Sequence, residues 1–215
     1  MSHQRRVSDP LPQRLSLSFS DALTVLMDAC GLVPNARTAF DARVRQLQRM
    51  GVPAREDGDA GRLRYGIPEL AALATAMKLM DAFMVPALAA RYVTERWSTL
   101  APFVLAGAKD ALPASYLARR TIAPDSFAVF GSNALATMGK RHRHDERYVE
   151  PLGSVRVVDE KRAAVTTAAL GGAGLMLDSR SYMPIIVRQW AELLNATQTE
   201  LSFELDRLKF IDATK

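Results

Sequence analysis

Cysteine is nearly missing from this sequence, and long apolar runs are missing altogether. The single cysteine, Cys30, excludes an intramolecular disulfide and any metal site built from several thiolates. No apolar run approaches the roughly 20 residues that span a bilayer. The first 20 residues are polar and lack the apolar stretch of a secretory signal peptide. We therefore expect a cytoplasmic protein.

Composition and charge fit a folded protein with a basic excess. The chain has 215 residues, of which 48% are hydrophobic and 24% charged, enough for one large domain or two small ones. Its formal net charge of +5 favours a polyanionic partner. The placement of the arginines decides whether that partner is a nucleic acid.

Two predicted helices separated by a tight turn follow an N-terminal tail. The first begins at Ser18 or Ser20, either of which suits an N-cap, and ends at Gly31. After a turn at 32–35, we expect a second helix at about 36–50. Its core-facing positions, at helical spacing, are Phe40, Val44, Leu47 and Met50.

The opposite face of the second helix is polar and basic. It carries Arg37, Arg43, Arg45, Gln46, Gln48 and Arg49. In a helix-turn-helix the second helix enters the major groove, where Arg forks onto guanine and Gln onto adenine. A glycine-rich stretch at about 54–66 predicts a hairpin, whose Arg62 and Arg64 would contact phosphate. These features favour a DNA-binding surface over a merely solvated one.

Residues 61–86, GRLRYGIPELAALATAMKLMDAFMVP, resemble the wing and the following helix of the MerR family of bacterial regulators. The resemblance rests on the Arg64-Tyr65 pair and on the helix start at Glu69-Leu70. It implies a winged helix-turn-helix, a dimer on palindromic sites and an effector bound by the C-terminal part. It places Thr38, Arg43 and Arg45 at the groove, and Arg62, Arg64 and Tyr65 on the DNA backbone.

The chain departs from the family pattern at two places. The recognition helix has only Phe40 where the family has an aromatic pair, and the single cysteine lies in the first helix, which excludes thiolate metal sensing. We therefore predict no metal and no cofactor. The predicted DNA-binding residues are Arg37, Thr38, Arg43, Arg45, Gln46, Arg49, Arg62, Arg64 and Tyr65.

The remainder of the chain has weaker signals. We predict helices at about 68–83, 86–111 and 181–209, strands at 126–130 and 154–159, and either a strand or a buried turn at 173–177. The apolar stripe of the last helix is expected either to pair with a second copy or to pack on its own chain.

Other candidate sites are weaker still. His142 and His144 could share a cation, but the surrounding basic residues favour a solvated loop. The glycines at 171–174 lack the Lys-Ser/Thr of a P-loop. Six aromatic residues could line an effector pocket but are expected in the core: Trp97, Tyr116, Phe127, Phe130, Tyr148 and Trp190. No spacing indicates a nucleophile or an acid pair, so we predict no enzyme activity.

The sequence therefore predicts a mainly α (α+β) protein with a flexible tail at 1–16, a winged helix-turn-helix at 17–96 and a helical or mixed C-terminal domain at 97–215. The C-terminal domain would dimerise, bind an effector or contact another protein. The predicted function is a sequence-specific, nucleoid-associated transcriptional regulator of double-stranded DNA, acting as a homodimer. Two alternatives stay open: a phage-type or architectural DNA-binding protein, and a protein-interaction adaptor with a winged-helix fold.

Overall fold

The computed structural model describes residues 15–54, 63–131, 152–170 and 174–208. Within these ranges the protein is mainly helical with one small antiparallel sheet, which confirms the predicted α+β class. The helices are α1 (Phe19–Cys30), α2 (Arg37–Arg49), α3 (Ile67–Asp81), α4 (Pro86–Glu95), α5 (Trp97–Gly107), α6 (Ala114–Leu117), α7 (Glu160–Ala169), α8 (Met183–Leu193) and α9 (Gln198–Arg207). The strands are β1 (Phe127–Gly131), β2 (Val155–Val158) and β3 (Gly174–Asp178), and 3₁₀ turns lie at Pro34–Ala36, Lys109–Ala111 and Ser179–Ser181.

Helix α3 lies at the centre of the helical part. Every residue from Ile67 to Met77 is buried, so this alanine-rich helix has no polar face, as expected of a helix surrounded on all sides. Helices α1, α4, α8 and α9 pack around it. One hydrophobic cluster extends from Leu17 to Leu208, so the core is continuous across the domain boundary predicted at residue 96.

Local signals set the ends of α1 and α2. Ser18 caps α1 by accepting a hydrogen bond from the backbone N–H of Asp21, and Gly31 ends it with a left-handed φ of 73°. Both ends agree with the prediction. Helix α2 buries Phe40, Val44 and Leu47 as predicted. Met50 was predicted to face the core but is 38% exposed, because it follows the last helical residue and leaves the helical stripe.

The sheet has the strand order β2-β1-β3, with both neighbours antiparallel to the central β1. The two predicted strands are confirmed, and the segment predicted as a strand or a buried turn is a strand. Ala128 and Phe130 of β1 face the main core, and the Phe130 ring meets Tyr92 edge-on at 5.2 Å. Phe127 and Val129 face the other way and pack with Ala163 of α7. Helix α7 was not predicted, although its start carries an N-cap signal in Asp159.

The helix predicted at 86–111 is wrong, because the chain leaves helical geometry at Arg96 (φ −122°, ψ 18°) and forms α4 and α5 instead. Trp97, the first residue of α5, is buried, and its ring N–H donates to the carbonyl oxygen of Leu208 at 3.2 Å. The turn at Arg96 thus brings an indole into the core that a continuous helix would direct elsewhere.

The helix predicted at 181–209 is also broken. Asn195 has a left-handed φ of 46°, and Thr197 starts α9 with a reciprocal capping box to Glu200. Most of the predicted apolar stripe is buried within its own chain, namely Met183, Ile186, Trp190, Leu201, Leu205 and Leu208, whereas Leu193 and Thr197 are exposed. Its buried residues pack on their own chain, which is one of the two outcomes considered for this stripe.

Of the six aromatic residues considered for a pocket, Trp97, Tyr116, Phe127, Phe130 and Trp190 are buried in the core, as favoured. Several predicted features lie outside the described residues: Tyr148, tail residues 1–14, residues 55–62 of the predicted hairpin, the histidine stretch at 142–146 and residues 171–173 of the glycine-rich stretch. Across the described ranges, no helix is both long enough and apolar enough to cross a membrane.

Candidate nucleic-acid interface

Helix α2 lies at the surface with one face buried and the other open. Its buried residues are Phe40, Val44 and Leu47, and it packs against α1, α3 and α4. The exposed residues of α2 are Arg37, Thr38, Ala39, Ala42, Arg43, Arg45 and Arg49. Helical spacing therefore correctly separated the core face of α2 from its basic face.

Arg37 is directed at α1 rather than outward. Its guanidinium donates to the hydroxyl of Thr24 at 3.1 Å and to the hydroxyl of Ser20 at 3.1 Å. It also donates to the carbonyl oxygen of Ser20 at 3.3 Å. These bonds hold the two helices across the turn at 31–36. Arg37, predicted as a DNA contact, is therefore placed as an interhelical contact.

Arg45 is held in one orientation on the outer face. It forms an ion pair with Asp41, one helical turn earlier, and its guanidinium carbon lies 4.5 Å from the centre of the Phe19 ring. Its side chain is still 57% exposed. A guanidinium held this way loses less rotational freedom on meeting a ligand than a free one.

The remaining polar residues of the outer face are accessible. Arg43 donates to the side-chain carbonyl of Gln46 at 2.9 Å, so these two side chains form a pair on one flank. Neither Thr38 nor Arg49 has a hydrogen bond or ion pair with any residue that the structure describes. Thr38 and Arg49 are thus the side chains most available to an incoming partner.

The segment 63–66 contacts α1 and α2 through Tyr65. The backbone N–H of Leu17 donates to the carbonyl oxygen of Tyr65 at 3.0 Å, forming an isolated antiparallel bridge. The Tyr65 ring packs 5.9 Å from that of Phe19, and Gln48 donates to the Tyr65 hydroxyl at 2.6 Å. Arg64 is exposed, whereas Arg62 lies outside the described residues.

Tyr65 was predicted to contact the DNA backbone, but it is only 5% exposed. Burial raises the pKa of its hydroxyl above the usual value, so the group stays protonated and neutral. The Tyr65 side chain lies against α2, where Gln48 donates to its hydroxyl, and against the Phe19 ring of α1. In the described part of the predicted hairpin, the partner of Tyr65 is Leu17 and not a residue near 54.

Gln48 is the site residue that sequence reasoning undervalued. It was placed on the polar face of α2 without a role. Arg37, Asp41 and Gln48 recur at spacings of four and seven, which puts them on one flank of a helix. From that flank Arg37 bonds to α1 and Gln48 to segment 63–66, whereas Asp41 pairs with Arg45 of the same helix.

Chemistry of other kinds has little support among the described residues. They contain no group of three or more His, Cys, Asp and Glu placed to hold a metal ion. An open hollow of about 260 Å³ lies along α5, where Ser98 and Thr121 supply hydroxyls between apolar walls. No residue that lines this hollow titrates near neutral pH.

Comparison with protein-family profiles, with curated proteins and with solved structures gives no match for this chain.

Proposed function

We propose that this chain is a sequence-specific DNA-binding protein that regulates transcription, with α2 in the major groove. The observation that carries the proposal is the outer face of α2, where Thr38, Arg43, Arg45, Gln46 and Arg49 lie together with no apolar residue larger than alanine between them. An α-helix of ordinary diameter fits the major groove of B-DNA. Arg and Gln are the side chains that read guanine and adenine there.

Segment 63–66 is a second observation that supports the proposal. Tyr65 and Gln48 fasten this segment to α2, and Arg64, next to Tyr65 in the chain, is exposed. A cation in that position suits a phosphate beside the groove, where it fixes the register of the helix without reading sequence.

The experiment is selection of bound fragments from the genomic DNA of the source organism by the purified full chain. The test variant is Arg45→Ala with Arg49→Ala. The matched control, Arg156→Ala with Arg188→Ala, removes the same charge from exposed positions outside α2 and segment 63–66. We expect the wild type and the control to enrich the same few near-palindromic sites, and the test variant to enrich none.

Two other results would replace the proposed function by one of its alternatives. Binding of all fragments alike, with a steep salt dependence, would indicate an architectural DNA-binding protein. No retained DNA at low salt would overturn the proposal and leave the adaptor as the function to test.

A further inference from the structure

A buried ion cluster joins the last helix, α9, to the first turn of α3. The guanidinium of Arg207 donates through Nη1 to both carboxylate oxygens of Glu204, at 3.1 and 2.9 Å, and through Nη2 to Glu69 at 3.1 Å. The side chains of Arg207, Glu69 and Glu204 are 12%, 4% and 1% exposed. Removing three charged groups from water is costly, so this cluster is weak evidence for stability and raises the question of what it positions.

The cluster lies directly against the backbone of Gly66. The second carboxylate oxygen of Glu69 accepts a hydrogen bond from the N–H of Gly66 at 2.8 Å. A Cβ at this position would lie 2.2 Å from a Glu204 oxygen and 3.1 Å from Nη1 of Arg207. Gly66 has an ordinary negative φ, so glycine is favoured here by closeness and not by backbone freedom, because a Cβ would force the carboxylates of Glu204 and Glu69 to shift.

Segment 63–66 is therefore held from opposite ends of the chain. Leu17 and Gln48 hold Tyr65 from the N-terminal part, and Gly66 is held by Glu69, whose other carboxylate oxygen is bonded by Arg207 of α9. Helix α9 is fixed in turn on its other side, where Asp206 accepts hydrogen bonds from Tyr116 at 3.1 Å and from Arg120 at 3.0 Å. The exposed Arg64 directly precedes the two fixed residues, Tyr65 and Gly66, in the chain.

We propose that Arg207 is a positioning residue that sets the backbone of segment 63–66, and thereby the place of Arg64 on DNA. The guanidinium suits this role because its planar fork bonds two carboxylates at a fixed angle, which a lysine cannot do. The part of this inference that concerns DNA rests on the proposed function, whereas the part that concerns the backbone does not.

The first measurement is amide hydrogen exchange on Arg207→Met and on the milder Arg207→Lys. We expect exchange at Gly66 and Leu17 to accelerate at least about tenfold in the methionine variant and less in the lysine variant. The amides of α2 should keep their protection. Unchanged exchange at Gly66 and Leu17, or equal acceleration at every amide, overturns the positioning role. If the methionine variant does not fold, the lysine variant decides by the same criteria.

The second measurement is DNA affinity as a function of salt concentration. We expect Arg207→Met to reduce the salt slope by about one, as Arg64→Ala does, because both remove the same phosphate contact. The double variant should lose no more affinity than Arg64→Ala alone. Tyr182→Phe, which removes a buried hydrogen bond to Thr75, is the control for lost stability and should leave the slope unchanged.

The two proposals fail in different ways. Additive losses from Arg64→Ala and Arg207→Met would show that Arg207 does not act through Arg64. If the wild type binds no DNA, the proposed function fails and takes the DNA part of this inference with it. The exchange result then still decides whether Arg207 positions the segment.

Discussion

The side-chain amide of Gln48 donates a hydrogen bond of 2.6 Å to the hydroxyl of Tyr65, and this bond joins α2 to the segment that carries Arg64. The two residues are 17 positions apart, and the glycine-rich stretch lies between them. The bond fixes segment 63–66 against α2.

Tyr65→Phe should lower the free energy of unfolding by about 1 kcal/mol, because it leaves the partly buried amide of Gln48 without its acceptor. Urea denaturation measures the loss. Gln48→Ala should produce a similar loss, and the double variant should lose clearly less than the sum. Additive losses would show that the two side chains do not act as a pair.

Arg49→Ala and Arg37→Ala should separate DNA contact from structural support. Arg49 is exposed at the end of α2, so its loss should change stability by less than about 0.5 kcal/mol. It should cost about 1–3 kcal/mol of DNA binding energy at the preferred site. Arg37→Ala should instead lower stability by about 1 kcal/mol, because its bonds to Ser20 and Thr24 are lost. Fluorescence anisotropy measures DNA binding and urea denaturation measures stability in both variants. A loss of stability in Arg49→Ala with a loss of binding in Arg37→Ala would contradict the roles assigned to them.

Gly107→Ala should destabilise the fold by about 1–3 kcal/mol, because a Cβ there would lie 2.5 Å from the backbone carbonyl carbon of Ser179. Thermal unfolding measures the effect. Ser179→Ala should not rescue it, since the clash with the backbone persists. Gly174→Ala is the milder comparison, because its Cβ would come no closer than 3.2 Å to Phe130. An equal loss at both glycines would contradict the close approach at Gly107.

Cys30 should be a poorly reactive thiol in the folded protein. Burial raises its pKa from 9.0 to about 11, with Asp81 adding to the shift and Lys78 opposing it. At pH 8 the thiolate fraction, and so the rate of alkylation by iodoacetamide, should be about a hundredfold below that of the urea-unfolded chain. Equal rates in the two states would contradict the shift.

The same shift makes stability depend on pH in a stated direction. The folded state holds the thiol proton more tightly than the unfolded state does, so this contribution is complete below pH 9. It declines as the pH rises from 9 toward 11, because only the unfolded chain releases the proton there. Urea denaturation of Cys30→Ala, which lacks the group, should show a weaker decline over this interval.

The predictable part of the candidate site is the part that depends on helical geometry alone. The period of 3.6 residues sets Thr38 and Arg49 opposite Phe40, Val44 and Leu47, so their exposure follows once α2 is recognised. The roles of Arg37 and Tyr65 could not be obtained this way. Their partners, Ser20 and Gln48, lie 17 residues away, and the contacts depend on how the helices cross.

The amino-acid sequence by itself determined the beginning and end of α1, the core face of α2 and strands β1 and β2. Each depends on a cap, a glycine or a periodicity within a few residues. Tertiary structure decided the turn at Arg96 and the burial of α8 and α9 against their own chain. It also decided the contact of Arg207 with Glu69. The reason is physical: Trp97 bonds to a residue 111 positions away and Arg207 to one 138 away, and only packing of the whole chain creates such contacts.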